Sequence, residues 1–157
     1  MVLLIQLNLL QNYFSDLGLL ALMLAALCHD TDHPATNNQY QINTLSRLAI
    51  KYHDESVLEQ HHIHQAFKIL LKKNCNIFDS LPNQSFLLVR KIMIAGIMAT
   101  DMKQHFSILK RFEESWPEFS SSPEVFMEDE TSRNLLTGFV IHTCDFSGSA
   151  KKFQVAS

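Results

Sequence analysis

The chain is 157 residues long, with 46% hydrophobic and only 18% charged residues, enough to bury the core of one ordinary domain without disulfide or metal staples. Four glycines and four prolines make about 5% of it, against roughly 12% in average proteins, which excludes a turn-dense sandwich or barrel, collagen and disordered linkers and favours long helices. A net charge of −3 with scattered basic residues excludes the electrostatic footprint of a nucleic-acid or anionic-membrane binder.

Cys28, Cys75 and Cys144 are odd in number and share no paired spacing, so a reduced, cytoplasmic compartment is expected. The apolar start lacks a basic leader region, and the longest clean apolar run, Leu17 to Cys28, is twelve residues, too short to span a bilayer. The charged fraction is also low for a free-standing domain, for which about 25% is usual.

In chain order, the first 33 residues read as two helical segments broken near Ser15 to Gly18, the second apolar on nearly every face and therefore deeply buried. Pro34 ends it, and PATNNQYQ reads as a polar connector. Leu45, Leu48, Ala49 and Tyr52 predict a short amphipathic helix over 43–52. Ser56-Val57-Leu58-Glu59 has the form of a capping box that opens a helix through Ile63, Ala66, Phe67 and Leu70. Ser85 is the expected cap of the next helix. Leu88, Ile92, Ala95, Ala99, Met102, Phe106 and Leu109 then predict one long helix or two nearly collinear ones, ending at a PEFSSSP loop after Trp116. Residues 124–145 resume a helical pattern, with Gly148 as a plausible stop. No repeat or strand alternation appears, and the expected architecture is an all-α helical bundle.

The chemistry is concentrated in the histidines. His29-Asp30-Thr31-Asp32-His33 packs two imidazoles and two carboxylates into five positions after an apolar helix; on a helix, His29 and His33 would share a face. Imidazole with carboxylate suits a divalent ion such as Zn, Mn or Mg, and a carboxylate can bridge two ions; a solvated polar helix end is the bland alternative. Glu59 before His61 and His62 is either a group that holds metal-bound water or the capping-box acid, with the two histidines simply satisfied in core or surface. Thr100-Asp101 with His105 sits in mid-pattern, where an Asp101 to His105 pair at i, i+4 is the bland reading and a hydroxyl facing a polar site the functional one. Asp145 ends an apolar helix, where the dipole disfavours an acid, as if a cation required it. The cysteines and Met23, Met93, Met98 and Met102 read as core. There is no phosphate-cradling Gly-rich loop.

With these residues in place, AALCHDTDHPATNNQYQ, LAIKYHDESVLEQHH, CNIF, IMATDMKQHF and HTCDFS, in that order and at compatible spacing, resemble the catalytic domain of the class I 3′,5′-cyclic nucleotide phosphodiesterases. The resemblance runs from about residue 10 to residue 157, and NNQYQIN, LEQHH, KNCNIF and ATDMKQHF look most similar to the type-9, cGMP-preferring branch. It implies an all-α bundle with a two-metal site, Zn and Mg or Mn. His29 looks like a zinc ligand, Asp30 like the carboxylate that bridges both metals, and Asp145 like the late aspartate that completes the zinc shell. His33, Glu59 and Thr100 resemble the residues that hold waters on the second metal. The implied reaction is in-line hydrolysis of cAMP or cGMP to the 5′-nucleotide in signal transduction.

The departures imply a partial domain over 1–157. The family has an upstream HNxxH segment supplying a general-acid histidine and a further zinc ligand, and no histidine precedes His29 here. It also has a downstream glutamine and phenylalanine that clamp the base, and this chain has twelve residues after Asp145. No catalytic general acid is therefore assigned, the nucleotide-contacting residues stay unassigned, and the chain alone is expected to be weakly active or inactive. An HD-type nucleotide phosphohydrolase and a non-catalytic helical interaction module are the alternatives. The expected ligand is a cyclic nucleotide, with no nucleic acid and no transmembrane segment; homo-oligomerisation or a regulatory domain in a longer protein is compatible with these features.

Overall fold

The computed structural model describes residues 13–146, apart from the side chains of 124–126. Among the described residues the chain is helical throughout, without strands: α1 (Asp16–Cys28), α2 (Asn38–Asn43), α3 (Arg47–Tyr52), α4 (Val57–Leu70), α5 (Asn83–Met98), a 3₁₀ turn (Met102–Gln104), α6 (His105–Ser121), α7 (Pro123–Glu128) and α8 (Glu130–Asp145). None is long and apolar enough to cross a membrane. The first helical segment expected from the sequence and the Gly148 stop lie largely or wholly outside the described residues.

Helix starts are set by short polar side chains that accept from amides one turn on, as isolated first-turn donors require. Ser15 Oγ accepts from Gly18 N at 3.2 Å, Ser46 Oγ from Ala49 N at 3.1 Å, and Asp129 Oδ2 from Ser132 N at 2.7 Å. Helix α5 is central, packed between α1 and α8. Leu22 and Ala25 of α1, Met93 and Ile97 of α5, and Ile141 of α8 are buried at this junction.

Two glycines set how closely these helices approach. A Cβ on Gly96 would lie 3.2 Å from Ala25 Cβ and 3.2 Å from Ile141 Cγ1, and one on Gly138 would lie 2.9 Å from Ala99 Cβ. Gly138→Ala is therefore expected to force α8 away from the end of α5 and to destabilise by about 1–3 kcal/mol, the usual cost of overpacking, read as a lower unfolding midpoint.

The structure corrects several local expectations. Helix α1 is buried on one face only: Leu20, Met23 and Leu27 are 39%, 47% and 79% exposed, so an all-round apolar pattern did not identify its core face. Met102 is also exposed, and so is Cys75, while Cys28 and Cys144 are half-buried. The connector and the 43–52 helix become two short helices, because Leu45 takes a left-handed φ of 48° and ends the first. Helix α5 begins at Asn83 after Pro82, so Ser85 is not its cap. Helix α6 continues through Pro117 to Ser121, where a loop was expected. Aromatic packing surrounds this turn: Phe119 lies tilted at 5.0 Å from Tyr13 and 5.6 Å from Trp116, and Phe112 stacks at 3.8 Å on Phe139.

Candidate metal centre

Helix α1 stops at Cys28, and the His29–His33 motif folds as a turn rather than a further helical turn. Thr31 N donates to Cys28 O at 3.1 Å and His33 N to Asp30 O at 3.2 Å, and Asp32 adopts φ 65°. The helical face expected to unite His29 and His33 is thus absent; the turn spreads its side chains around Asp30 instead.

His29 Nδ1–H donates to Ala26 O at 2.8 Å, which turns Nε2 toward the carboxylates. That nitrogen lies 3.4 Å from Asp30 Oδ2 and 3.2 Å from Asp145 Oδ1. His62 repeats the arrangement from α4. Its Nδ1–H donates to Thr31 O at 2.9 Å and its Nε2 lies 3.8 Å from Asp30 Oδ1. Ligand atoms of Asp30, His33 and His62 fall within 4.8 Å of one another. Two imidazole nitrogens and two carboxylates thus converge, and with both rings neutral no proton lies between them, an arrangement that a cation resolves. His33 differs in kind. Its Nδ1 accepts from Ala35 N at 3.0 Å, so the ring presents an N–H at Nε2 and is built to donate to an oxygen.

Beside Asp30 a cleft of about 440 Å³ is lined by His33, Asn38, Ser56, Glu59, Thr100 and Asp101 among others. The capping box does not form there. Ser56 has φ 41° and no capping bond; its hydroxyl donates to Asp101 Oδ2 at 2.7 Å. Asn38 of α2 takes over, accepting from Leu58 N at 2.8 Å and donating from Nδ2 to Glu59 Oε2 at 2.9 Å. The Glu59 carboxylate is therefore held at the cleft by Asn38 as well as by its own backbone amide.

Burial pushes the Glu59 carboxyl above the ordinary range; the Asn38 bond opposes this, and Asp101 and Asp30 add to it. For an acid raised in the fold, the stabilising contribution is full below the unfolded value and is lost as pH rises through the folded one. Glu59→Gln keeps an oxygen for Asn38 and removes that loss. In metal-free protein the variant is expected to melt higher than wild type at neutral pH, with the difference vanishing below about pH 4, as scanning calorimetry across pH would read.

Thr100 also lines the cleft, and its hydroxyl donates back to Ile97 O at 2.8 Å. It does not lie in mid-helix: Asp101, with ψ 115°, breaks the helix and caps the 3₁₀ turn by accepting from Lys103 N at 2.9 Å. The Asp101 to His105 pair is absent; His105 Nδ1 lies 2.8 Å from His142 Nε2 instead. His29, Asp30 and Asp145 are thus brought together, His33 joins through Asp30, and Glu59 and Thr100 share the adjoining cleft. Asn38 was not singled out beforehand, Ser56 was read only as a helix cap, and His62 was not assigned to the site. For His62 a signal existed, since it lies three residues after Glu59 and so on the same helical face. His61 is a structural residue, its Nε2 2.8 Å from Asp32 Oδ2.

Fold and site together define an all-helical bundle with a histidine–aspartate cluster of metal-ligating composition at its edge. A profile described as 3'5'-cyclic nucleotide phosphodiesterase matches residues 1–157, and the chain belongs to that family. It is 44% identical over 147 residues to the mouse protein named high affinity cGMP-specific 3',5'-cyclic phosphodiesterase 9A, a match covering 94% of this chain and 26% of the relative. Its identity to the Drosophila melanogaster protein of the same name is 40% over 151 residues, 96% of this chain and 9% of that one. It therefore spans about a quarter or less of these relatives' length. The phosphodiesterase domain of the RhoPDE fusion protein from the choanoflagellate Salpingoeca rosetta superimposes with a TM-score of 0.84 at 36% identity, over 92% of this chain and 45% of that domain's chain.

Proposed function

We propose that this chain carries the metal-holding part of a 3′,5′-cyclic nucleotide phosphodiesterase site, acting in the cytoplasm on cGMP or cAMP. The observation that carries the reading is the convergence of His29 Nε2, Asp30 and Asp145, with His29 Nδ1 turned away onto Ala26 O. His29, Asp30 and Asp145 hold the first of two divalent ions, zinc with magnesium or manganese, and His62 closes the shell around Asp30. When bound, the ions supply a Lewis acid and acidify water for hydrolysis of the cyclic phosphodiester. His33 donates from Nε2 to an oxygen in the cleft, the Glu59 carboxylate accepts from one, and the Thr100 oxygen keeps a lone pair for another. Identity to the cGMP-specific relatives favours cGMP.

No histidine precedes His29 in this sequence, and no residue is assigned the role of the family's upstream general acid. Loss of such an acid typically costs about 10²–10⁴ in rate. Purified chain loaded with Zn²⁺ and Mg²⁺ is expected to convert cGMP or cAMP to the 5′-nucleotide at least about 100-fold below the ~10 s⁻¹ of a median enzyme. Turnover at ordinary enzyme rates overturns the partial-site reading, and release of any product other than a 5′-nucleotide overturns the assigned reaction.

A further inference from the structure

We propose that His142, backed by His105, is a positioning residue: its imidazole latches both ends of the segment Ala99–His105 to helix α8 and so holds Thr100 and Asp101 at a set distance from Asp145. The inference rests on the metal reading of the site and concerns residues that reading does not use.

The latch begins with a stranded carbonyl. Ala99 follows the last residue of α5, and the amide that a continued helix would offer it, Lys103 N–H, goes to Asp101 Oδ1 at 2.9 Å. A buried carbonyl left unpaired is costly. His142, itself buried, donates to Ala99 O from Nδ1 at 2.7 Å. In the neutral ring a proton on Nδ1 leaves Nε2 to accept, and its partner at 2.8 Å is His105 Nδ1, which donates in that arrangement. One imidazole thus bonds to the residue before Thr100 and to the first residue of α6, the two ends of the break that carries Thr100 and Asp101 into the cleft.

The other side of the latch is equally placed. His142 stands three residues before Asp145 on α8, and Gly138, four residues before His142, is where α8 presses against Ala99. Phe146, with ring centroids 5.1 Å from His142 and 5.7 Å from His105, packs over the pair. A shift of this junction moves the Asp145 side of the centre relative to the Thr100 side, and altered support of metal-site geometry typically changes ion affinity about 10- to 100-fold.

The test is Mn²⁺ titration calorimetry at fixed neutral pH, well below each variant's metal-free melting midpoint. His142→Phe removes both bonds and is expected to weaken Mn²⁺ binding at least about tenfold. His142→Asn places an amide donor where Nδ1 stood and is expected to recover most of the affinity. Leu136→Ala, a buried α8 change away from the latch, is expected to lower the midpoint while leaving affinity unchanged, which separates positioning from mere destabilisation. Should His142→Phe fail to fold, His105→Phe removes only the outer bond and is expected to weaken binding by a smaller, measurable factor. ¹⁵N spectra of the wild-type imidazoles are expected to show Nδ1–H tautomers for His142 and His105. Unchanged affinity in both phenylalanine variants, an asparagine variant no better than His142→Phe, or an Nε2–H tautomer at His142 overturns the latch. A wild-type chain that takes up no Mn²⁺ overturns the metal reading itself, and the latch's role with it.

Discussion

Asp30→Asn is expected to abolish the stabilisation that divalent ions confer on the wild-type chain. Asp30 is the hub of the centre: one oxygen lies 3.4 Å from His29 Nε2 and the other 3.8 Å from His62 Nε2. An ion at 100 times its dissociation constant stabilises the state that binds it by about 2.7 kcal/mol. For a chain of this size that is a rise of roughly 5–10 °C in midpoint. The amide removes the charge and places a nitrogen without a lone pair among acceptors, so Zn²⁺ or Mn²⁺ is expected to leave the variant's midpoint unmoved. In the metal-free protein the same change relieves acceptor–acceptor repulsion, so the variant is expected to melt no lower than wild type. A full ion-dependent shift in Asp30→Asn would place the ion elsewhere.

The second large effect is expected at the core. Leu22 is fully buried where α1 meets α5, and removing such a side chain typically costs about 2–5 kcal/mol in lost transfer energy and residual cavity. Against a total stability of roughly 5–15 kcal/mol, Leu22→Ala takes a large share, a fall of about 4–20 °C in midpoint. Leu27→Ala on the same helix removes the same atoms from a side chain that is 79% exposed, and is expected to change stability by no more than about 0.5 kcal/mol. Thermal or urea unfolding of the pair reads out which face of α1 is the core face. Equal effects would contradict the packing of α1 on α5.

That contrast marks the boundary of what the amino-acid sequence discloses. Bundle class and α4 were legible because apolar spacing is a local property; α1 and α8 were legible only in part, since the segment expected to run to Pro34 stops at Cys28 and the pattern over 124–145 is divided at Asp129 into α7 and α8. The core face of α1 was not legible, because a helix apolar on every side carries no directional signal and only its neighbours choose. Residue chemistry drew attention to His29 and Asp30, and to Asp145 as an acid at the wrong end of a helix, but their grouping into one centre came from the family resemblance. The capping of α4 by Asn38 was not legible, because the partner lies 20 residues away in sequence and the local Ser56-Glu59 pattern pointed to a self-contained box. The break at Asp101 was masked by uninterrupted apolar spacing on both sides, and α6 passes through Pro117 against proline's local preference, beside aromatic contacts of Phe119 that a local pattern does not disclose. His142 was in view only as a neighbour of Asp145; its bond to Ala99 spans 43 residues.

The claim that the convergence around Asp30 is a cation site is tested most directly by zinc-edge anomalous diffraction from crystals of the chain grown with Zn²⁺. The expected result is a peak about 2.0–2.2 Å from His29 Nε2 and from carboxylate oxygens of Asp30 and Asp145, with His29 Nδ1 still bonded to Ala26 O. A centre without a peak at saturating zinc, with a proton bridging His29 Nε2 to the two carboxylates in the ion's place, would contradict it.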